Sequence, residues 1–220
     1  MQIFSTIKFF LDSGGFTAWL ILGSALILVV LAYDRIRFLY FQYSFDASQA
    51  LEKIREAVLR RNYTQALQIC NARTHSPELS VIRSGLIAVE HGREAMKSAL
   101  GGAVLEVSSL VEVRLPLVSL IAGVSTLLGL LGTITGLIKT FSSLAQADAL
   151  EKGRLLGEGI SEAMYSTATG LAVGIAAMVL HTILSSKGDM IVNQSQNAGY
   201  KLVTWIEESE RAIVIMEQSA

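Results

Sequence analysis

The chain has 220 residues, 51% of them hydrophobic and only 17% charged, with a formal net charge of −1 and a mean hydropathy of +0.48. A soluble domain carries about 25% charged residues, so an ordinary water-soluble protein is excluded, and scattered Lys and Arg leave no electrostatic footprint for nucleic acid. Cys70 is alone, and His75, His91 and His181 match no ligand spacing, so neither a disulfide framework, a metal site nor a cofactor is expected.

Three windows hold no Asp, Glu, Lys or Arg: Ser13–Tyr33 (21 residues), Leu115–Ile138 (24) and Ala163–Ser186 (24). About 20 apolar residues at 1.5 Å each cross a bilayer core of about 30 Å, so each window can span. The reading is an all-α integral membrane protein with three transmembrane helices. The first window is longer than the apolar core of a secretory signal, follows Asp12 and lacks a small-residue cleavage site.

Residues 1–15 form an amphipathic approach, with Ile3, Phe4, Ile7, Phe10 and Leu11 on one helical stripe, ended by Gly14-Gly15. The first span covers 16–33 and has the makeup of a lipid-facing helix, followed by an interfacial anchor of Tyr33, Tyr40, Tyr43, Arg35 and Arg37. Residues 34–114 are charged and helical in pattern, a cytoplasmic helical domain. Asp46 caps a helix whose inner face is Leu51, Ile54, Val58 and Leu59. Ser76-Pro77 starts another, running through Leu79, Ile82, Leu86 and Val89. That pattern loosens at Gly92 and Gly101-Gly102, then resumes from Ala103 and continues into the second span. The second span covers 115–141, a periplasmic loop 142–158, the third span 159–184 and a cytoplasmic C-terminal helix 185–220, with Val203, Ile206, Ile213 and Met216 apolar. Arg35, Arg37, Arg114 and Lys187 favour a cytoplasmic middle domain and tail; Lys8, Lys152 and Arg154 count the other way.

The second and third spans differ in kind from the first. Ser119, Thr126, Thr133 and Thr140 recur every seven residues, close to two helical turns, so they share a face. Gly129, Gly132 and Gly136 lie beside them, and Gly132–Gly136 is a GxxxG. In the third span Glu162, Ser166 and Thr169 run down one face and Thr167, Gly170 and Gly174 down the next, with Gly170–Gly174 again GxxxG. Such stripes fit close helix packing, with hydroxyls bonded across it, and they also fit a polar passage. Glu162 weighs toward a passage, since a charge well inside hydrocarbon costs on the order of 3 kcal/mol and such residues face a bundle interior or water. Alternatively it lies near the span end and snorkels. Lys139 sits at the same end of the second span, within reach of Glu162. Counted from the joining loop, Thr133 and Thr167 lie at one depth, roughly 12–13 Å down. Rings of hydroxyls and carboxylates suit water and protons. One chain with three spans cannot enclose a lumen, so a pore requires several copies.

Leu128-Gly-Leu-Leu-Gly-Thr-Ile-Thr-Gly-Leu-Ile138 with Thr140-Phe141, then Gly159-Ile-Ser-Glu-Ala163 and Thr167-Ala-Thr-Gly-Leu171, resembles the MotA/TolQ/ExbB proton-channel family. The single N-terminal span resembles the TolQ/ExbB branch. The resemblance implies a homopentamer in the bacterial inner membrane, N-terminus periplasmic and C-terminus cytoplasmic, whose long second and third helices extend into a cytoplasmic helical bundle. It implies a pore around the helices of a dimeric single-span partner similar to ExbD or TolR, which carries a transmembrane Asp, and work passed to a TonB- or TolA-like periplasm-spanning protein. Thr133, Thr167 and Glu162 then line the passage, with Ser166, Thr126, Thr140 and Thr169 along it. The family often has proline where this chain has Thr126 and Ala176, so helix irregularities are lost. The function expected is a proton-driven motor subunit working on the cell envelope; the alternatives are a motility or flagellar-type stator, sodium-driven or not, and a non-conducting membrane scaffold. Glu106, Glu112 and Glu158 offer no convergent base and nucleophile, so an enzyme is not expected.

Overall fold

A computed structural model describes residues 15–42, 48–72 and 76–218. The amphipathic segment at 1–14, Tyr43, Asp46 and His75 lie outside them, as do the side chains of Ile213 and Met216. Every element among the described residues is helical: α1 (Gly15–Ile36) with a π-helical turn (Arg37–Gln42), α2 (Ser48–Leu59), α3 (Tyr63–Asn71), α4 (Pro77–Ala88) with a 3₁₀ turn (Val89–His91), α5 (Arg93–Glu112), α6 (Leu115–Gln146) and α7 (Lys152–Gln218). The stretches Phe16–Tyr40, Arg93–Gln146 and Lys152–Arg211 each hold a window long and apolar enough to cross a membrane. The chain divides into two compact units, one of residues up to Asp34 with Arg114–Ile183, the other of Arg35–Val113 with Leu184–Ala220.

In the first unit α1 packs on α6 and α7. Leu28, Val118, Ala122 and Ala177 form the centre, flanked by Leu31, Ile121, Val173 and Leu180. The first span is therefore not a plain lipid-facing helix. Thr17, Ala18 and Ile21 are buried while Leu26, Val29 and Val30 are exposed, and Ser24 Oγ lies 3.0 Å from Ser125 Oγ on α6. Arg114 Nη1 donates to Asp34 Oδ2 at 2.7 Å.

The helix before the second span does not run straight into it. Arg114 takes the left-handed conformation (φ 67°) as the N-cap of α6, and Pro116 follows in the first turn. Proline has no N–H to give and restricts the residue before it, so the helix restarts there. The connection read as 142–158 is likewise mostly helical; only Ala147–Glu151 separate α6 from α7. Their ends are polar, and helical pattern without apolar content does not show as a span.

In the second unit the core is built of large aliphatic side chains: Ile54, Val58, Leu79, Ile82, Leu86, Met96, Leu100 and Leu202 are all buried. Leu59, expected inside, is 40% exposed. It is the last residue of α2, and the chain turns away through Arg61 at φ 56°. Ser76-Pro77 does open α4, with Pro at its start. Gly92 breaks the chain at φ 97°, whereas Gly101 and Gly102 lie on the open side of an uninterrupted α5. Asn62 caps α3, its side chain accepting from Gln65 N at 3.1 Å. Arg93 pairs with Glu207 and Glu210, and the Glu210 hydrogen bond raises the guanidinium's pKa further above its ordinary value. The anchor residue Tyr40 carries Lys187 Nζ 5.5 Å from its ring centre.

Candidate functional site

Glycine sets how α6 and α7 meet. A Cβ placed on Gly129 would stand 3.1 Å from Gly170 Cα, and one on Gly170 would stand 2.6 Å from Ser125 O. Gly174 lies as tightly against Ala122 O, and Gly136 against Ala163. In lipid an apolar side chain gains nothing by leaving lipid for another helix, so close backbone approach becomes the main attraction between helices. Both GxxxG pairs lie where α6 and α7 approach most closely.

The contacts Gly136–Ala163, Gly132–Ser166 and Gly129–Thr167 fix an antiparallel register. In it Thr133 and Thr167 fall within about two residues of one level, some 3 Å along the axis. Thr167 Oγ1 reaches across and donates to Gly129 O at 3.0 Å. Within α6 that carbonyl is also the acceptor for the Thr133 N–H four residues on, so the two threonines meet at one oxygen.

Four further threonine hydroxyls bond back along their own helices. Thr126 donates to Ala122 O at 3.0 Å, Thr133 to Leu130 O at 2.6 Å, Thr140 to Gly136 O at 2.8 Å and Thr169 to Tyr165 O at 2.8 Å. Each back-bond removes the cost of a bare hydroxyl in a dry setting. Where the family often carries proline, α6 and α7 run through Thr126 and Ala176 unbroken.

Glu162 and Ser166 line a cleft whose walls do not include Thr133 or Thr167. It holds about 240 Å³, and its other polar walls are Thr17, Thr135 and Lys139, with Gly132 and Gly136 beneath. Lys139 and Glu162 both face this cleft, and among the described residues neither forms an ion pair. Thr17 and Thr135 were not singled out by the sequence reading. Thr135 lies four residues before Lys139 and on its face, a spacing that could have flagged it; Thr17 gave no signal, being one hydroxyl in an apolar run.

Residues 73–197, more than half of the chain, match the model of the MotA/TolQ/ExbB proton channel family. The chain belongs to that family. It is 34% identical to the biopolymer transport protein exbB1 of Vibrio cholerae over 93 residues, 42% of this chain and 41% of that protein. It is 27% identical to the Tol-Pal system protein TolQ of Pseudomonas aeruginosa over 101 residues, 46% of this chain and 43% of that one. The match thus spans less than half the length of either relative. A putative ExbB homolog of Methanothermobacter thermautotrophicus is 24% identical over 92% of this chain and 74% of its own. These relatives place the chain in the TolQ/ExbB branch, and with its three apolar helices it is a multi-pass membrane protein of a channel family rather than an enzyme family.

Proposed function

We propose that this MotA/TolQ/ExbB family member is the pore-forming subunit of an inner-membrane motor driven by protons. Five copies enclose the helices of an ExbD- or TolR-like dimer, with the N-terminus periplasmic and the second unit and C-terminus cytoplasmic. The observation that supports this best is the Thr167 hydroxyl donating across the helices to the Gly129 carbonyl, within about two residues of the level of Thr133, whose own hydroxyl bonds to Leu130 O. A proton crossing the membrane gains about 2.3 kcal/mol per 100 mV. A partner carboxylate held at the threonine level is charged until a proton arrives; once neutral it leaves the polar ring, moves past the next subunit and releases the proton inward. Five copies around two partner helices cannot satisfy every site together, which favours stepping. Relatives named for biopolymer transport and the Tol-Pal system favour work on the envelope, passed on through a TonB- or TolA-like protein, over a motility stator.

Thr167→Val tests the reading. It removes the hydroxyl but keeps the branched shape, so proton-dependent work is lost while the oligomer still assembles, and Thr167→Ser restores the work. Retained activity in the valine variant would overturn the assignment. If Glu162→Gln is also silent, a non-conducting scaffold is the better account.

A further inference from the structure

Ser166 breaks the pattern of the threonines around it, whose hydroxyls are bonded. It is 2% exposed, yet its Oγ has no hydrogen-bond partner, while Thr169 one turn on bonds back to Tyr165 O. Its hydroxyl points at Gly132, where a Cβ would come within 1.8 Å, and it lines the cleft that also holds Thr17, Thr135, Lys139 and Glu162. A buried hydroxyl left bare is costly, and a second acceptor or donor has to satisfy it.

We infer that this cleft, inside a single subunit and walled by α1 as well as α6 and α7, is a water site that connects Ser166 with Glu162. Three features point to water. The cleft's roughly 240 Å³ far exceeds the about 10–15 Å³ that one water requires. Its five polar side chains supply the two to four partners each water needs. Lys139 and Glu162 face it as opposite charges without pairing directly, an arrangement that bridging water completes. The first span then contributes Thr17 to a hydrated compartment separate from the threonine level at Gly129. Water there can hand a proton to the Glu162 carboxylate and take it back. That role rests on the proposed channel function; the hydration does not.

The test uses the full chain with Cys70→Ala, reconstituted in phosphatidylcholine vesicles, carrying a single cysteine either at Thr135 or at Ile134, an exposed apolar position of α6 outside the cleft. A thiol reacts as its thiolate, which water favours and lipid does not, so Thr135→Cys is expected to react with a small charged methanethiosulfonate about tenfold faster than Ile134→Cys. Adding Thr17→Leu, which fills the cleft, is expected to slow it severalfold. Equal rates at the two positions, or no effect of Thr17→Leu, would overturn the inference. Should a cysteine variant fail to assemble, water-edited solid-state NMR of the unsubstituted chain decides: polarisation from water reaches Ser166 and Thr135 ahead of Ile134, and the reverse order refutes the site. Thr167→Val leaves the labelling rate unchanged, so the water site and the channel reading can fail separately.

Discussion

Each unit has its own kind of interior packing. The first packs backbone on backbone, through Gly129, Gly170 and Gly174, with hydroxyls turned to carbonyls. The second packs side chain on side chain, through Ile54, Ile82, Met96 and Leu202, with an Asn62 cap and the Arg93 ion pairs at its surface. Water explains the difference. Removing apolar surface from water gives about 25 cal/mol per Å², and a helix already in lipid has none of that to gain. One unit therefore depends on shape at its smallest residues and the other on volume at its largest.

One pair of glycines sharpens this contrast. A Cβ on Gly170 and a Cβ on Gly85 each meet a first atom at 2.6 Å, but for Gly170 it is the Ser125 carbonyl, and for Gly85 the flexible end of Leu100. Gly170→Ala is expected to have the largest effect of any methyl-sized change, abolishing assembly in size-exclusion chromatography. Ile82→Ala comes next, costing the second unit about 2–5 kcal/mol by cavity formation, read by hydrogen exchange of its amides. Gly85→Ala follows at about 1–3 kcal/mol, since the leucine ends can shift. Similar losses from the two glycine substitutions would break the comparison.

The smallest effect is a pH dependence confined to the second unit. Burial pushes the Cys70 thiol from 9.0 up to about 11, the Arg83 charge opposing it. A raised thiol pKa means that the folded state keeps a proton the unfolded state gives up. Its contribution is full below about pH 9 and is lost as pH rises toward about 11. Melting curves across that range should fall less steeply for Cys70→Ala than for the native chain; identical slopes would remove the effect.

The three spans were legible as charge-free windows of bilayer length, and the family through its resemblance in two motifs, Leu128–Ile138 and Gly159–Leu171. What was not legible depends on a single residue or on an unlike neighbour. Arg114 separates two helices by a single left-handed conformation, and Leu59 turns outward because α2 ends there. The polar residues 152–158, ahead of the third span, predict a loop, yet α7 starts at Lys152. Thr17 belongs to the cleft only because Gly132 leaves room for it and Ser166 together.

The Gly129 carbonyl receives both the cross-helix hydroxyl of Thr167 and the backbone N–H of Thr133. An oxygen shared by two donors holds each more weakly than it would hold one alone, and its stretching frequency registers both. A ¹³C label at that single carbonyl would make it a vibrational gauge inside the folded protein, reading from one infrared band whether the two helices grip or slacken.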